Sequence, residues 1–136
     1  MKKIYSKVEP DKLLHIVYRL DEMKSGREDL ISPNNFLQLS ALKMPEGKTF
    51  KPHHHIWKAS PISCIAQESW VVISGKVKVT YYDLDLSIVD EDILLPGDVS
   101  ITLEGGHNYL FLEDSVVYEY KTGPYTGIEN DKVQFG

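Results

Sequence analysis

Three of the five histidines in this 136-residue chain are consecutive, His53-His54-His55, and they follow Gly47-Lys-Thr-Phe-Lys-Pro. In an extended segment alternate side chains share a face, so His53 and His55 project together while His54 points away. Two imidazoles side by side on one strand are half of a metal site. A carboxylate and a third imidazole from other strands would complete it, and the run is answered downstream by Glu68 and by Gly106-His107. Nitrogen and oxygen donors of this kind suit zinc, iron, manganese, nickel or copper. The run lies mid-chain, behind a proline and between apolar segments, unlike a purification tag. A solvated turn is the competing reading, and the spacing of the other residues has to decide.

The elements that would position these residues are short strands. Leu13 to Leu20 is rich in β-branched and aromatic residues and reads as a strand or a helical turn; Phe36 to Lys43, Trp70 to Ser74, Lys76 to Tyr82 and Val116 to Lys121 read as strands, with Gly, Pro, Asp and Asn between the runs. Gly75 reads as a tight hairpin between two of them. Val77, Val79 and Tyr81 alternate with Lys78 and Thr80, as in a half-buried strand. Val99, Ile101 and Leu103 alternate in the same way, and His107, Tyr109 and Phe111 share a face. No long amphipathic helix, low-complexity segment or linker is evident. The pattern predicts an all-β sandwich or barrel.

Length allows one hydrophobic core and one domain, residues 1-136, with an N-terminal arm of roughly 1-35. The net charge is −5, with the acidic residues dispersed, and no basic stripe of a nucleic-acid binder is present. Lys43, Lys48, Lys51 and Lys58 gather around the histidines. They read as solvated strand and turn residues, or as a positive rim suited to a small anionic ligand. No apolar run approaches a membrane span, and none follows the charged N-terminus as in a signal peptide. Cys64 is the single cysteine, so an intrachain disulfide is excluded and a cytoplasmic location is expected.

These residues resemble the cupin superfamily, whose fold is a double-stranded β-barrel of jelly-roll type. Gly47, five residues, His53-His54-His55, then Glu68, six residues and Gly75 reproduce both ends of the first cupin motif; Pro96-Gly97-Asp98 and His107 match the second. By this resemblance His53, His55, Glu68 and His107 would be the ligands of one divalent transition metal. Two departures stand out. Twelve residues separate His55 from Glu68 where the family usually has three or four, and the extra Ile56 to Cys64 would form a loop over the barrel mouth. Phe111 also stands where an asparagine usually follows the second-motif histidine. The ending Tyr118 to Gly127, then Asn130-Asp131-Lys132, looks like the tail of small cupins encoded among bacterial surface-polysaccharide genes, which implies sugar or nucleotide-sugar ligands. The family also implies a homodimer, with the N-terminal strand as the arm between copies.

Three imidazoles and a carboxylate leave positions open on a metal, the mark of a catalytic rather than a structural site. Tyr109 and Glu119 are the candidate acid–base groups. Glu119 is a carboxylate in an otherwise apolar strand, yet burial of Val116, Tyr118 and Tyr120 would turn it outward with Lys121. Trp57, Trp70 and Tyr109 are candidate pocket residues, since aromatic faces stack on sugar rings or fill cores. His15, His54 and Cys64 are assigned no role. The expected function is metal-dependent isomerisation or epimerisation of a small polar metabolite, a sugar derivative. The alternatives are an iron-dependent dioxygenase and a binding protein without turnover.

Overall fold

The computed structural model describes residues 1–5, 10–17, 20–58 and 64–136. In chain order the strands are β1 (Lys2–Tyr5), β2 (Leu13–Val17), β3 (Gly26–Asp29), β4 (Leu37–Met44) and β5 (His53–His55). Next come β6 (Trp57–Lys58), β7 (Cys64–Ile65), β8 (Glu68–Ser74), β9 (Val77–Tyr82) and β10 (Ile88–Leu94). The last are β11 (Val99–Thr102), β12 (Gly106–Phe111), β13 (Ser115–Thr122) and β14 (Lys132–Gln134). They make two five-stranded antiparallel sheets, ordered β10-β9-β12-β5-β14 and β11-β8-β13-β4-β3, plus the small pairs β1-β2 and β6-β7. The expected strand from Leu13 is β2; Tyr18 and Arg19, at its end, lie outside the described residues, as do the side chains of His15 and Cys64.

The core lies between the two large sheets. Leu42, Val72 and Val117 from one meet Val77, Val79 and Phe111 from the other, all fully buried. Burial at roughly 25 cal/mol per Å² of apolar surface makes this contact the main force holding the sheets together. Alternation places the inward set as expected on β9 and β12. It fails on β11, where Val99, Ile101 and Leu103 are more than half exposed while Ser100 and Thr102 are buried.

Gly75 is not a hairpin turn. β8 and β9 belong to different sheets, so the chain turns a corner there and crosses the barrel. Its φ of +90° is open to glycine, and a Cβ would overlap the Ser115 side chain and lie 2.5 Å from the Asp114 carbonyl oxygen. The turn signal at Gly75 is therefore sound, but the partner strands differ from those expected.

Candidate functional site

β5 carries His53 and His55 inward on one face, both buried, with the half-buried His54 facing out. β12 pairs with β5 so that His107 is the cross-strand partner of His53. Glu68 opens β8 in the opposite sheet and reaches across the barrel. The four side chains offer donor atoms that all lie within 4.8 Å of one another. His53 Nε2 is 3.2 Å from His107 Nε2, His55 Nε2 is 3.0 Å from Glu68 Oε2, and His107 Nε2 is 3.5 Å from Glu68 Oε1. Donors bound to one ion at about 2.0–2.2 Å stand about 3.0–3.5 Å apart, so these separations fit a single metal.

The surroundings of the rings fit it too. His53 Nδ1 is 3.2 Å from the Lys51 carbonyl oxygen. A carbonyl only accepts, so the ring proton sits on Nδ1 and the lone pair on Nε2. Thr102 Oγ1, 2.6 Å from His107 Nδ1, accepts the proton in the form that frees His107 Nε2. In that form the two Nε2 lone pairs face each other at 3.2 Å, an arrangement that a cation beside them would relieve. His55 Nδ1 lies 3.2 Å from Asp131 Oδ2, close enough for an ion pair but off line for a full hydrogen bond. Each ring thus has an oxygen at its back that orients the metal-facing nitrogen.

Electrostatics agree. Burial, then Lys132 and His107, pushes the His53 pKa down to about 3, and burial likewise lowers His107, so both rings are neutral. At His55 burial also lowers, but Asp131 and Glu68 outweigh it and raise the ring to about 9. Burial would raise Glu68, yet the three imidazoles hold it well below the carboxylate range. The space between His55 and Glu68 favours positive charge.

No family model matches the sequence, and neither does any curated protein. Solved structures do match. An uncharacterized conserved protein with a double-stranded β-helix domain from Klebsiella pneumoniae aligns over 96% of this chain and 96% of its own, at 15% identity and a TM-score of 0.66. The capsular polysaccharide assembling protein CapF from Staphylococcus aureus aligns over 95% of this chain at 16% identity and a TM-score of 0.62. This chain covers 36% of that CapF chain. KdgF from Halomonas sp. aligns over 83% of this chain and 96% of its own, at 16% identity and a TM-score of 0.60. At these identities the shared property is the fold. The chain has the cupin fold, a double-stranded β-helix.

Within the cupin barrel the other candidate residues are distributed unevenly. Trp70 and Tyr109, expected to line a pocket, are both 2% exposed and stack face to face, with ring centres 3.7 Å apart. They are core beneath the cluster. Tyr109 Oη lies 3.2 Å from Ser100 Oγ, and burial pushes its pKa well up. Trp70 also donates its one N–H to Glu68 Oε1 at 2.8 Å and to Glu119 Oε2 at 3.1 Å. Glu119 faces inward, because β13 buries Ser115, Val117 and Glu119 rather than Val116, Tyr118 and Tyr120. Arg27 of β3 grips both Glu119 oxygens, at 2.7 and 3.1 Å. Burial and Glu68 raise the Glu119 pKa, against the pull of Arg27.

Trp57 is exposed and lines a cleft of about 340 Å³ with His55, Ile65, Leu84 and Leu86. The long insertion after His55 forms the β6-β7 pair, with residues 59–63 outside the described set. It returns the chain to the start of β8, where Glu68 meets His55. Lys43, Lys48 and Lys51 are exposed, whereas Lys58 is half-buried. Sequence reasoning missed Thr102, Asp131 and Arg27. Their only signal was polar character at positions that register, not spacing, turns inward.

Proposed function

We propose that the protein is a metal-dependent cupin in which His53, His55, Glu68 and His107 hold one divalent transition metal beside a small polar metabolite, a sugar derivative, that it isomerises or epimerises. The observation that carries this is the convergence of three back-supported imidazole nitrogens and one ionised carboxylate on a single point. A divalent ion bound there would supply Lewis-acid polarisation of a ligand oxygen. Trp70 orients Glu68 from below, and Thr102 and Asp131 orient His107 and His55. The structural likeness to a capsular polysaccharide assembling protein supports the sugar class.

One observation favours a second reading, a binding protein without turnover. Tyr109 is engaged with Ser100, and Glu119 with Arg27 and Trp70, so neither offers a free group to move a proton. A cytoplasmic location and a homodimer belong to the main reading. The N-terminal segment, whose β1-β2 pair stands as its own sheet, supports an arm between copies. Sedimentation velocity checks the dimer, and a monomer across the micromolar range removes it.

The deciding experiment is elemental analysis of untagged protein with His53→Ala, His55→Ala, Glu68→Ala and His107→Ala variants. Stoichiometric metal in the parent and its loss in all four is the expected result; no metal after reconstitution overturns the reading. Metal-loaded protein is then incubated with sugar phosphates and nucleotide-sugars in deuterated water. Deuterium entering a C–H position marks isomerisation or epimerisation. Binding without exchange marks the second reading, and iron with oxygen uptake marks a dioxygenase.

A further inference from the structure

Strand register gathers three lysines beside the histidine–glutamate cluster. Lys121 of β13 is the cross-strand partner of Glu68, and Lys132 of β14 is the cross-strand partner of His55. Cross-strand partners share a face of their sheet, so both side chains start out on the inner face that carries the cluster. Lys58 of β6 joins them through Asp131. Its Nζ lies 3.5 Å from Asp131 Oδ1, while Lys121 Nζ lies 3.4 Å from Oδ2. Lys58 Nζ also donates to the Pro124 carbonyl oxygen at 2.9 Å, and Lys121 Nζ sits 4.4 Å from the centre of the Tyr125 ring. The Lys58 and Lys121 side chains are only 13% and 10% exposed, unlike solvated surface lysines.

The charges in this corner do not balance. Asp131 serves Lys58, Lys121 and His55 together. Glu68 is committed to the histidines and Trp70, and Glu119 to Arg27 and Trp70. Among the described residues Lys132 makes no ion pair, and its positive charge depresses both His53 and His107. An ammonium has three N–H donors, more than Asp131 can satisfy across these lysines. A divalent ion in the adjoining cluster would add further positive charge. Glu68, Glu119 and Asp131 all lie close enough to act on Lys132, but each is shared with other partners, so the lysines keep donors that an anion from outside could take.

We propose that Lys58, Lys121 and Lys132 bind the anionic group, a carboxylate or a phosphate, of a small polyhydroxylated ligand whose oxygens reach the His53/His55/Glu68/His107 cluster. The ligand's approach to the cluster rests on the metal reading above; the anion site stands on the lysines alone. Lysines act as point charges, so the site selects for charge more than for the geometry of the acid group.

The test is calorimetric titration of the metal-loaded full chain with gluconate, glucose 6-phosphate and neutral glucose. At least one anion is expected to bind about tenfold or more tightly than glucose, and Lys121→Met and Lys132→Met to weaken that anion by about tenfold or more each. Which anion binds tells a carboxylate site from a phosphate site. Lys132→Arg, which keeps the charge, is expected to retain binding, and both Met variants to keep their metal. Glucose binding as tightly as the tighter of the two anions, no anion binding at all, or unchanged anion affinity in either Met variant overturns the proposal. Lysine-dependent anion binding that survives in metal-free His107→Ala supports the lysine site and removes only its coupling to a metal.

Discussion

At the scale of single residues, the site depends as much on what stands behind the imidazoles as on the imidazoles themselves. Thr102 Oγ1 lies 2.6 Å from His107 Nδ1, both residues buried, and accepts its proton in the form that frees Nε2 for a metal. Thr102→Val keeps the shape and removes the acceptor, so metal affinity is expected to fall about 10- to 100-fold. Competition against a chelating dye reads this, and unchanged affinity would remove Thr102 from the site. That the four cluster residues come together was legible in the sequence because period-two alternation pairs His53 with His55, the six residues from Glu68 to Gly75 mark Glu68 despite the long gap after His55, and the second motif marks His107. Thr102 and Asp131 were not legible. An oxygen behind a ring obeys no spacing rule, and only the register of β11 and the 3-10 turn of residues 128–130 that leads into β14 bring these two into place.

At the scale of elements, β11 and β13 invert the usual sorting of side chains. Each turns polar residues toward the barrel interior, Ser100 and Thr102 on one and Ser115 and Glu119 on the other. Thr102 backs His107 and Glu119 shares the Trp70 N–H with Glu68, while Ser100 meets Tyr109 and Ser115 accepts from the Lys76 backbone N–H beside Gly75. A rule that sends apolar residues inward therefore reads β9 and β12 correctly and misreads these two. The inversion on β13 depends on β3, whose Arg27 neutralises Glu119. Arg27→Ala is expected to destabilise the fold by about 2–3 kcal/mol, less than the roughly 3–5 kcal/mol of a fully buried pair because Arg27 is itself 37% exposed. Chemical denaturation measures it, and an unshifted midpoint would show that Glu119 does not need its guanidinium. Glu119→Gln, which retains hydrogen bonding without charge, is expected to cost less. Arg27 falls within the expected N-terminal arm of roughly 1-35, and nothing in the sequence there announces that β3 completes the edge of a five-stranded sheet.

For the molecule as a whole, the all-β architecture was legible in the rhythm of short apolar runs and turn residues, but strand pairing was not. Gly75 shows why, since a glycine corner looks the same whether the chain pairs back on itself or crosses to the other sheet. The proposed metal would tie β5, β8 and β12 together across both sheets, so binding should stabilise the entire fold. At a hundred times its Kd the metal contributes about 2.7 kcal/mol, which raises the Tm by roughly 10 °C. Calorimetry with and without a chelator checks this, and an unchanged Tm would show that the four residues hold no ion. The stack of Trp70 on Tyr109 has an optical consequence. The chain has two tryptophans, and they sit in opposite surroundings, Trp57 in water and Trp70 in the core with its N–H on Glu68. Trp57→Phe leaves one indole with blue-shifted emission, directly wired to the cluster. Quenching of that emission by a paramagnetic ion such as copper would report loading of the centre in real time, without any added dye.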